Sequence, residues 1–252
     1  MVLSALAGAV GFLTRLPVGH DERAWTAYRD APVAAVPVGY LVGGLVALPF
    51  LVGAALPVPA PAVAFAYLVG LYAVTGIAHL DGVADCGDAA VVHGDADRRR
   101  EVLKDTTTGV GALSAVSLVV AGLALGALAL AGLPLGPAVA VVVASEVGAK
   151  AGLAVLAGVA DPPHDGLGRS LADGADAGTA LLAAVLAFPA AVIGWPTPAG
   201  AASLVASLLV AAVAVVWARR RLGGVTGDVF GATNELARVV AVHAGVIAWT
   251  AW

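Results

Sequence analysis

Long apolar runs alternate with short polar ones along this chain, and the polar runs are of two kinds that take turns. Apolar stretches fall at residues 32–54, 61–79, 110–131, 136–157, 178–195, 199–217 and 236–252, with a shorter piece at 2–14 ahead of them. Most are about 20 residues long, and at 1.5 Å per residue such a helix crosses a hydrocarbon core of roughly 30 Å. Runs such as Leu113 to Leu133 show no period of two, which removes a transmembrane β-barrel. The pattern predicts an all-α, polytopic integral membrane protein of about seven transmembrane helices plus a short N-terminal apolar helix. Residues 1–252 read as one membrane-embedded domain. The segment 2–14 is too short to assign as a span by length, so crossing, lying flat and re-entering all stay open.

The connections sharpen the picture. Three turns, punctuated by Pro57, Pro59 and Pro61, by Pro134 and Pro137, and by Pro196 and Pro198, carry no Lys, Arg, Asp or Glu. The segments 15–31, 80–109, 158–177 and 218–235 hold nearly every charge, and only Glu146, Lys150 and Arg238 fall inside the spans as drawn. Charged and uncharged connections alternate without exception, as an odd-and-even topology requires. Arg98, Arg99, Arg100, Lys104, Arg169, Arg219, Arg220 and Arg221 then place the charged side in the cytoplasm of a cell membrane. The C-terminus falls outside, with Trp249 and Trp252 as interfacial anchors.

Composition agrees. The chain is 60% hydrophobic and only 12% charged, with a mean hydropathy of +0.96. That is about half the charge a soluble domain needs. Alanine, glycine and valine dominate the spans, which suits small-residue helix packing. No basic residue precedes the first apolar run, so no cleaved signal peptide is expected. The single cysteine, Cys86, excludes an internal disulfide. The lipid bilayer is the expected partner and nucleic acid is not.

Chemistry concentrates in three runs. In His79-Leu80-Asp81-Gly82-Val83-Ala84-Asp85-Cys86-Gly87-Asp88 the carboxylates of Asp81, Asp85 and Asp88 stand at i, i+4 and i+7, one face of a helix. Like charges so placed repel unless neutralised, and all-oxygen ligands favour Mg²⁺, Mn²⁺ or Ca²⁺ over zinc. The alternative is a solvated acidic helix end. The run Gly223-Gly224-Val225-Thr226-Gly227-Asp228 leads to Gly231 and Glu235, a second acidic face or a flexible loop before the last helix. Between these runs, Lys104-Asp105 and the threonines ending at Thr108-Gly109 form a turn suited to phosphate. The arginine triplet 98–100 reads more simply as topology. Glu146 and Lys150, four apart in mid-span, either neutralise each other or aim Lys150 at the charged face.

Taken together, these runs resemble the cobalamin 5'-phosphate synthase family, also called adenosylcobinamide-GDP ribazoletransferase. The likeness begins at Phe12-Leu13-Thr14-Arg15-Leu16-Pro17-Val18 and continues through Pro37-Val38-Gly39 with Gly43-Gly44. It is strongest at His79 to Asp85 with Asp88, then at Lys104-Asp105 with Gly109 and Gly111. It closes at Leu222 to Asp228 with Gly231-Ala232 and Glu235-Leu236. The chain departs from the pattern at Glu146, where the family more often has arginine, and at Asp105-Thr106-Thr107-Thr108, which replaces an Asp-Ser-Arg sequence.

The resemblance implies the joining of adenosylcobinamide-GDP to α-ribazole, or its 5'-phosphate, with release of GMP. It implies Mg²⁺, with Mn²⁺ an alternative, held by Asp81, Asp85, Asp88 and Asp228. Asp81, Asp105, Glu235 and Lys104 become the expected catalytic set, with Asp105 or Glu235 taking the hydroxyl proton and Lys104 steadying GMP. Arg15, His79, Thr108, Gly109, Gly223, Gly224, Thr226 and Lys150 become the expected substrate contacts. A homo-oligomer and docking of other enzymes of the pathway are left open. A CDP-alcohol phosphotransferase would carry an Ala-Arg pair after its Asp-Gly, absent here. A transporter would bury charge along several spans.

Overall fold

A computed structural model of the chain describes residues 2–19 and 21–252, and its described residues form helices and no strand. In order these are α1 (Val2–Leu13), α2 (Glu22–Arg29), α3 (Ala35–Val46, after a 3-10 turn at Pro32–Ala34), α4 (Leu48–Ala55), α5 (Ala60–Thr75), α6 (Ala78–Val91) and α7 (Ala96–Val102). There follow α8 (Val110–Leu130), α9 (Leu135–Val159), α10 (Leu167–Ala172), α11 (Ala177–Val192), α12 (Ala199–Leu222) and α13 (Gly227–Thr250).

The protein is an all-α polytopic membrane protein. Helical segments occupy all seven predicted positions. Four are long and apolar enough to cross a membrane, Pro32–Ala55, Val110–Leu130, Leu135–Val159 and Ala199–Leu222, and the bent pair α5–α6 makes five if it counts as one span. The other expected spans fall short for separate reasons. α11 has only 16 residues, and α13 carries Asn234, Glu235 and Arg238 in its first half. The expected span 61–79 ends early, because Gly76 turns left-handed at φ +72° and α6 leaves at 97° to α5. His79 therefore belongs to α6. With 12 residues, about 18 Å, α1 is too short to cross; it packs back on α2, where a Cβ at Gly8 would lie 2.0 Å from the Ala24 carbonyl oxygen.

α9 is the axle, its residues from Val141 to Ala154 all buried by α3, α11, α12 and α13. Small residues permit this. Cβ atoms at Gly39 and Gly43 of α3 would stand 2.7 and 2.9 Å from the Cα atoms of Val147 and Val143, so two backbones touch where side chains are missing.

All four charged connections meet at one end of the bundle. The Arg15 amide donates to the Val74 carbonyl at 2.7 Å, Gly174 packs on Arg29, and the Val225 amide donates to the Asp161 carbonyl at 3.3 Å. Arginines fasten the helix ends there. Arg99 donates to the carbonyls of Ala89 and Ala90 at the end of α6, Arg100 to Leu222 at the end of α12 (2.6 Å), and Arg219 to Val159 at the end of α9 (2.7 Å). Each places a cation where a helix dipole is negative and carbonyls lack partners.

Candidate active site

The acidic face of α6 meets the start of α13 by close backbone contact. A Cβ at Gly82 would lie 2.5 Å from the Asp228 carbonyl oxygen, and one at Gly231 would lie 3.2 Å from the His79 Cα. Two glycines thus bring Asp81 and Asp85 of α6 toward Asp228 of α13. The electrostatics register the approach. Partial burial, then the charges of Asp228, Asp81 and Asp88, push the Asp85 carboxyl up to about 6. Burial above all, with Asp81 contributing, raises that of Asp228, against the hydrogen bond from Thr226 at 3.3 Å. Thr226 is buried at the cap of α13.

Asp88 is employed differently from Asp81 and Asp85. One of its oxygens accepts the Gly109 amide at 2.8 Å and the other the Ala112 amide at 2.9 Å, so it holds the start of α8. Cβ atoms at Gly109 or Gly111 would collide with that carboxylate, 2.4 and 2.8 Å away. The expected metal ligand Asp88 and substrate contact Gly109 are thus engaged with each other in a helix cap. Lys104, Asp105 and Thr108 lie exposed on the adjoining loop. Asp105 accepts the amide and hydroxyl of Thr107 at 2.9 and 2.8 Å, which holds its carboxyl below the usual range.

Gly223 (φ +75°) ends α12, and Gly224 (φ +154°) lies against the Asp161 carbonyl. Their role in the fold is a left-handed reversal that sets Thr226 and Asp228 in place. The loop 158–177 is more than a turn, since Asp161 and Gly168 close on this reversal and His164 comes near enough to Asp228 to favour its ionised form. Arg15 lies exposed against Gly76 at the α5–α6 corner.

Beneath the site lies a network that sequence reasoning found only in part. Glu146 does stand 3.8 Å from Lys150, but its closest partner is Arg238, whose Nε and Nη2 both reach it, the second at 3.0 Å. Arg238 Nη1 also donates to Glu235 at 2.6 Å. Lys150 donates to Asn234 at 2.6 Å, and the Asn234 amide lies 3.1 Å from both Glu235 and the His79 ring. Tyr72 reaches the second Glu235 oxygen at 3.5 Å. The side chain of Lys150 is fully buried with Asn234 and Glu146 as its partners, and that of Glu235 is only 2% exposed and already shared among these donors. Sequence reasoning placed Arg238 inside a span without a partner, and missed Asn234 and Tyr72. The available signal was Arg238 itself, a charge within a span and three residues from Glu235.

The donor set fits a hard cation. Among the described residues no three His, Cys, Asp or Glu side chains close around one point. Mg²⁺ needs no such cage, because one or two carboxylates suffice where water and substrate phosphate complete its octahedron.

The model of the cobalamin-5-phosphate synthase family matches residues 5–246. The chain belongs to that family. It is 56% identical to the adenosylcobinamide-GDP ribazoletransferase of Halorubrum lacusprofundi and 45% identical to that of Haloquadratum walsbyi, in each case over 99% of both chains. A relative of the same name from Pyrobaculum aerophilum is 30% identical over 99% of this chain and 97% of its own. No solved structure matches the chain. Membership makes this a membrane-embedded transferase of cobalamin synthesis.

Proposed function

We propose that the protein joins adenosylcobinamide-GDP to α-ribazole, or to its 5'-phosphate, and releases GMP. The reading rests on one observation above the others: glycine-enforced contact between α6 and α13 gathers Asp81, Asp85 and Asp228 at the charged face. Phosphoryl transfer asks a protein for charge neutralisation and alignment more than for covalent help. One or two of Asp81, Asp85 and Asp228 would hold Mg²⁺, or Mn²⁺, which when bound neutralises diphosphate oxygens. The residues around them do the positioning. Thr226 orients Asp228 through its hydroxyl, and Asp88 fixes α6 against α8, so the acidic face cannot roll away from its partner helix. Asp105 is exposed and ionised at neutral pH, the carboxylate to take the proton of the attacking ribose hydroxyl. Lys104 beside it is the cation for the departing GMP.

The face itself is cytoplasmic on this reading. The basic residues gathered there, against none in the proline-marked turns of the opposite end, follow the positive-inside pattern of a cell membrane. The test is release of GMP from adenosylcobinamide-GDP by the purified protein in a lipid bilayer, with α-ribazole or its phosphate supplied. Release should require both substrates and a divalent cation. A protein that inserts normally yet frees no GMP from this substrate would refute the assignment.

A further inference from the structure

A cavity of about 520 Å³ opens beside the acidic site, between the α1–α2 hairpin and the α5–α6 corner. Nothing in the reading above uses it. Its apolar wall is Phe12 and Trp25, whose ring centroids are 4.9 Å apart and whose planes are tilted by 34°. Asp21 and Glu22 line it at the start of α2, and Arg15 lines it together with Ala78 of α6. One oxygen of Asp21 accepts the Arg23 amide at 3.0 Å and so holds the helix start; the Glu22 side chain is exposed. Gly8 and Gly11 of α1 line it as well.

We infer that this cavity binds the guanine of the nucleotide portion of the substrate, with Glu22 reading the base. The assignment rests on the reaction proposed above, which brings three aromatic bases to the protein: guanine, the adenine of the adenosyl group, and the base of α-ribazole. An aromatic ring face accepts any of them, because every base has a stacking face. The carboxylates choose among them. An ionised carboxylate only accepts hydrogen bonds, and guanine alone presents two adjacent donors, N1–H and the 2-amino group, on one edge. Adenine presents a single amino group beside an acceptor that a carboxylate repels. A benzimidazole-type base offers no N–H once joined to ribose. Position agrees with chemistry. Ala78 in the cavity wall lies three residues before Asp81 on α6, so a diphosphate leaving the base passes Arg15 toward the acidic face. Arg15 suits that place, since guanidinium binds phosphate oxygens in pairs.

The test uses the full chain in lipid nanodiscs, with GMP, IMP and AMP as probes in equilibrium binding, independent of turnover. The wild type should prefer GMP over AMP by roughly tenfold or more, with IMP between, as expected for a paired hydrogen-bond contact. Glu22→Gln should narrow that preference to within about twofold, and Asp21→Asn, which keeps the helix cap, should narrow it less. Trp25→Ala should weaken GMP and AMP alike. Absence of a GMP preference in the wild type, or a preference unchanged in Glu22→Gln, would overturn the assignment. Intact selectivity for GMP in a protein that transfers nothing would sink the reaction and leave this site standing. Turnover with wild-type selectivity in Glu22→Gln would do the reverse.

Discussion

Asp228 and Glu235 lie seven residues apart on α13, two turns of one helix, yet the clusters they belong to are built by opposite rules. Around Glu235 the charges balance: Glu146 and Glu235 against Lys150 and Arg238, with Asn234 and Tyr72 filling remaining hydrogen-bond positions. That cluster is buried and complete within the protein. Around Asp228 carboxylates predominate, partly exposed, with Thr226 and His164 giving partial relief: Asp228, Asp81 and Asp88 raise the cost of ionising Asp85, and Asp81 that of ionising Asp228. A buried group of charges must be satisfied internally, since no water or ion reaches it. A group left unbalanced at an accessible face draws its missing positive charge from outside. On the function proposed above, the first cluster serves the fold and the second the chemistry.

Neutralising the acidic cluster should break the comparison most visibly. Asp85→Asn or Asp228→Asn should lower GMP release by roughly a hundred- to a thousandfold, while thermal melting in detergent holds or rises slightly because repulsion is relieved. A melting loss matching the activity loss would make these carboxylates part of the scaffold.

The buried cluster should respond the other way. Arg238→Met leaves two carboxylates against one ammonium in a low-dielectric interior, at a cost of about 3–5 kcal/mol, read as loss of folded protein on purification or a lowered melt. Glu146→Gln with Arg238→Met should recover much of this, leaving Glu235 with Lys150. Glu146→Gln with Lys150→Met leaves Glu235 with Arg238, and should keep both the melt and turnover within a fewfold. A stable but inactive version of that second double variant would move Lys150 into the site.

The smallest effect is on pH. The Asp85 carboxyl sits at about 6 in the folded protein, above its ordinary 3.8, so the folded state binds that proton more tightly than the unfolded one. The resulting stability is full below the ordinary value and is lost as pH rises through about 6. The metal-free protein should melt about a degree or two higher near pH 5 than near pH 7, the shift being small because Asp85 is largely solvated. Added Mg²⁺ should shrink the difference in the wild type and leave it in Asp228→Asn.

How much of this was legible in the sequence follows from the range of the forces involved. The bilayer imposes apolar composition on the segments it covers and charge asymmetry on the connections, so helix positions and the charged end can be read one segment at a time. The spacing of Asp81 and Asp85 is likewise local. Asp88 shares that spacing, and only the fold reveals that α8, more than twenty residues later, begins against it. Glu146 and Lys150 were visible as a pair because they are four apart. The closer partner Arg238 is 92 positions away from Glu146, where periodicity carries no information. The end of α5 at Thr75 was also hidden, because a left-handed Gly76 interrupts an apolar run without altering its hydropathy.

At the crossing of α6 and α13 the two backbones meet at Gly82, where even a methyl group would strike the Asp228 carbonyl. The width of the gap between the facing carboxylates is gauged there by an atom that is missing. Any side chain at position 82 acts as a shim, pushing the helices apart and, on the function proposed above, stretching the seat offered to a small ion while every proposed ligand remains in the chain. Such a protein would keep its full set of acids and lose its grip on a cation of Mg²⁺ radius first, with larger ions the last to go.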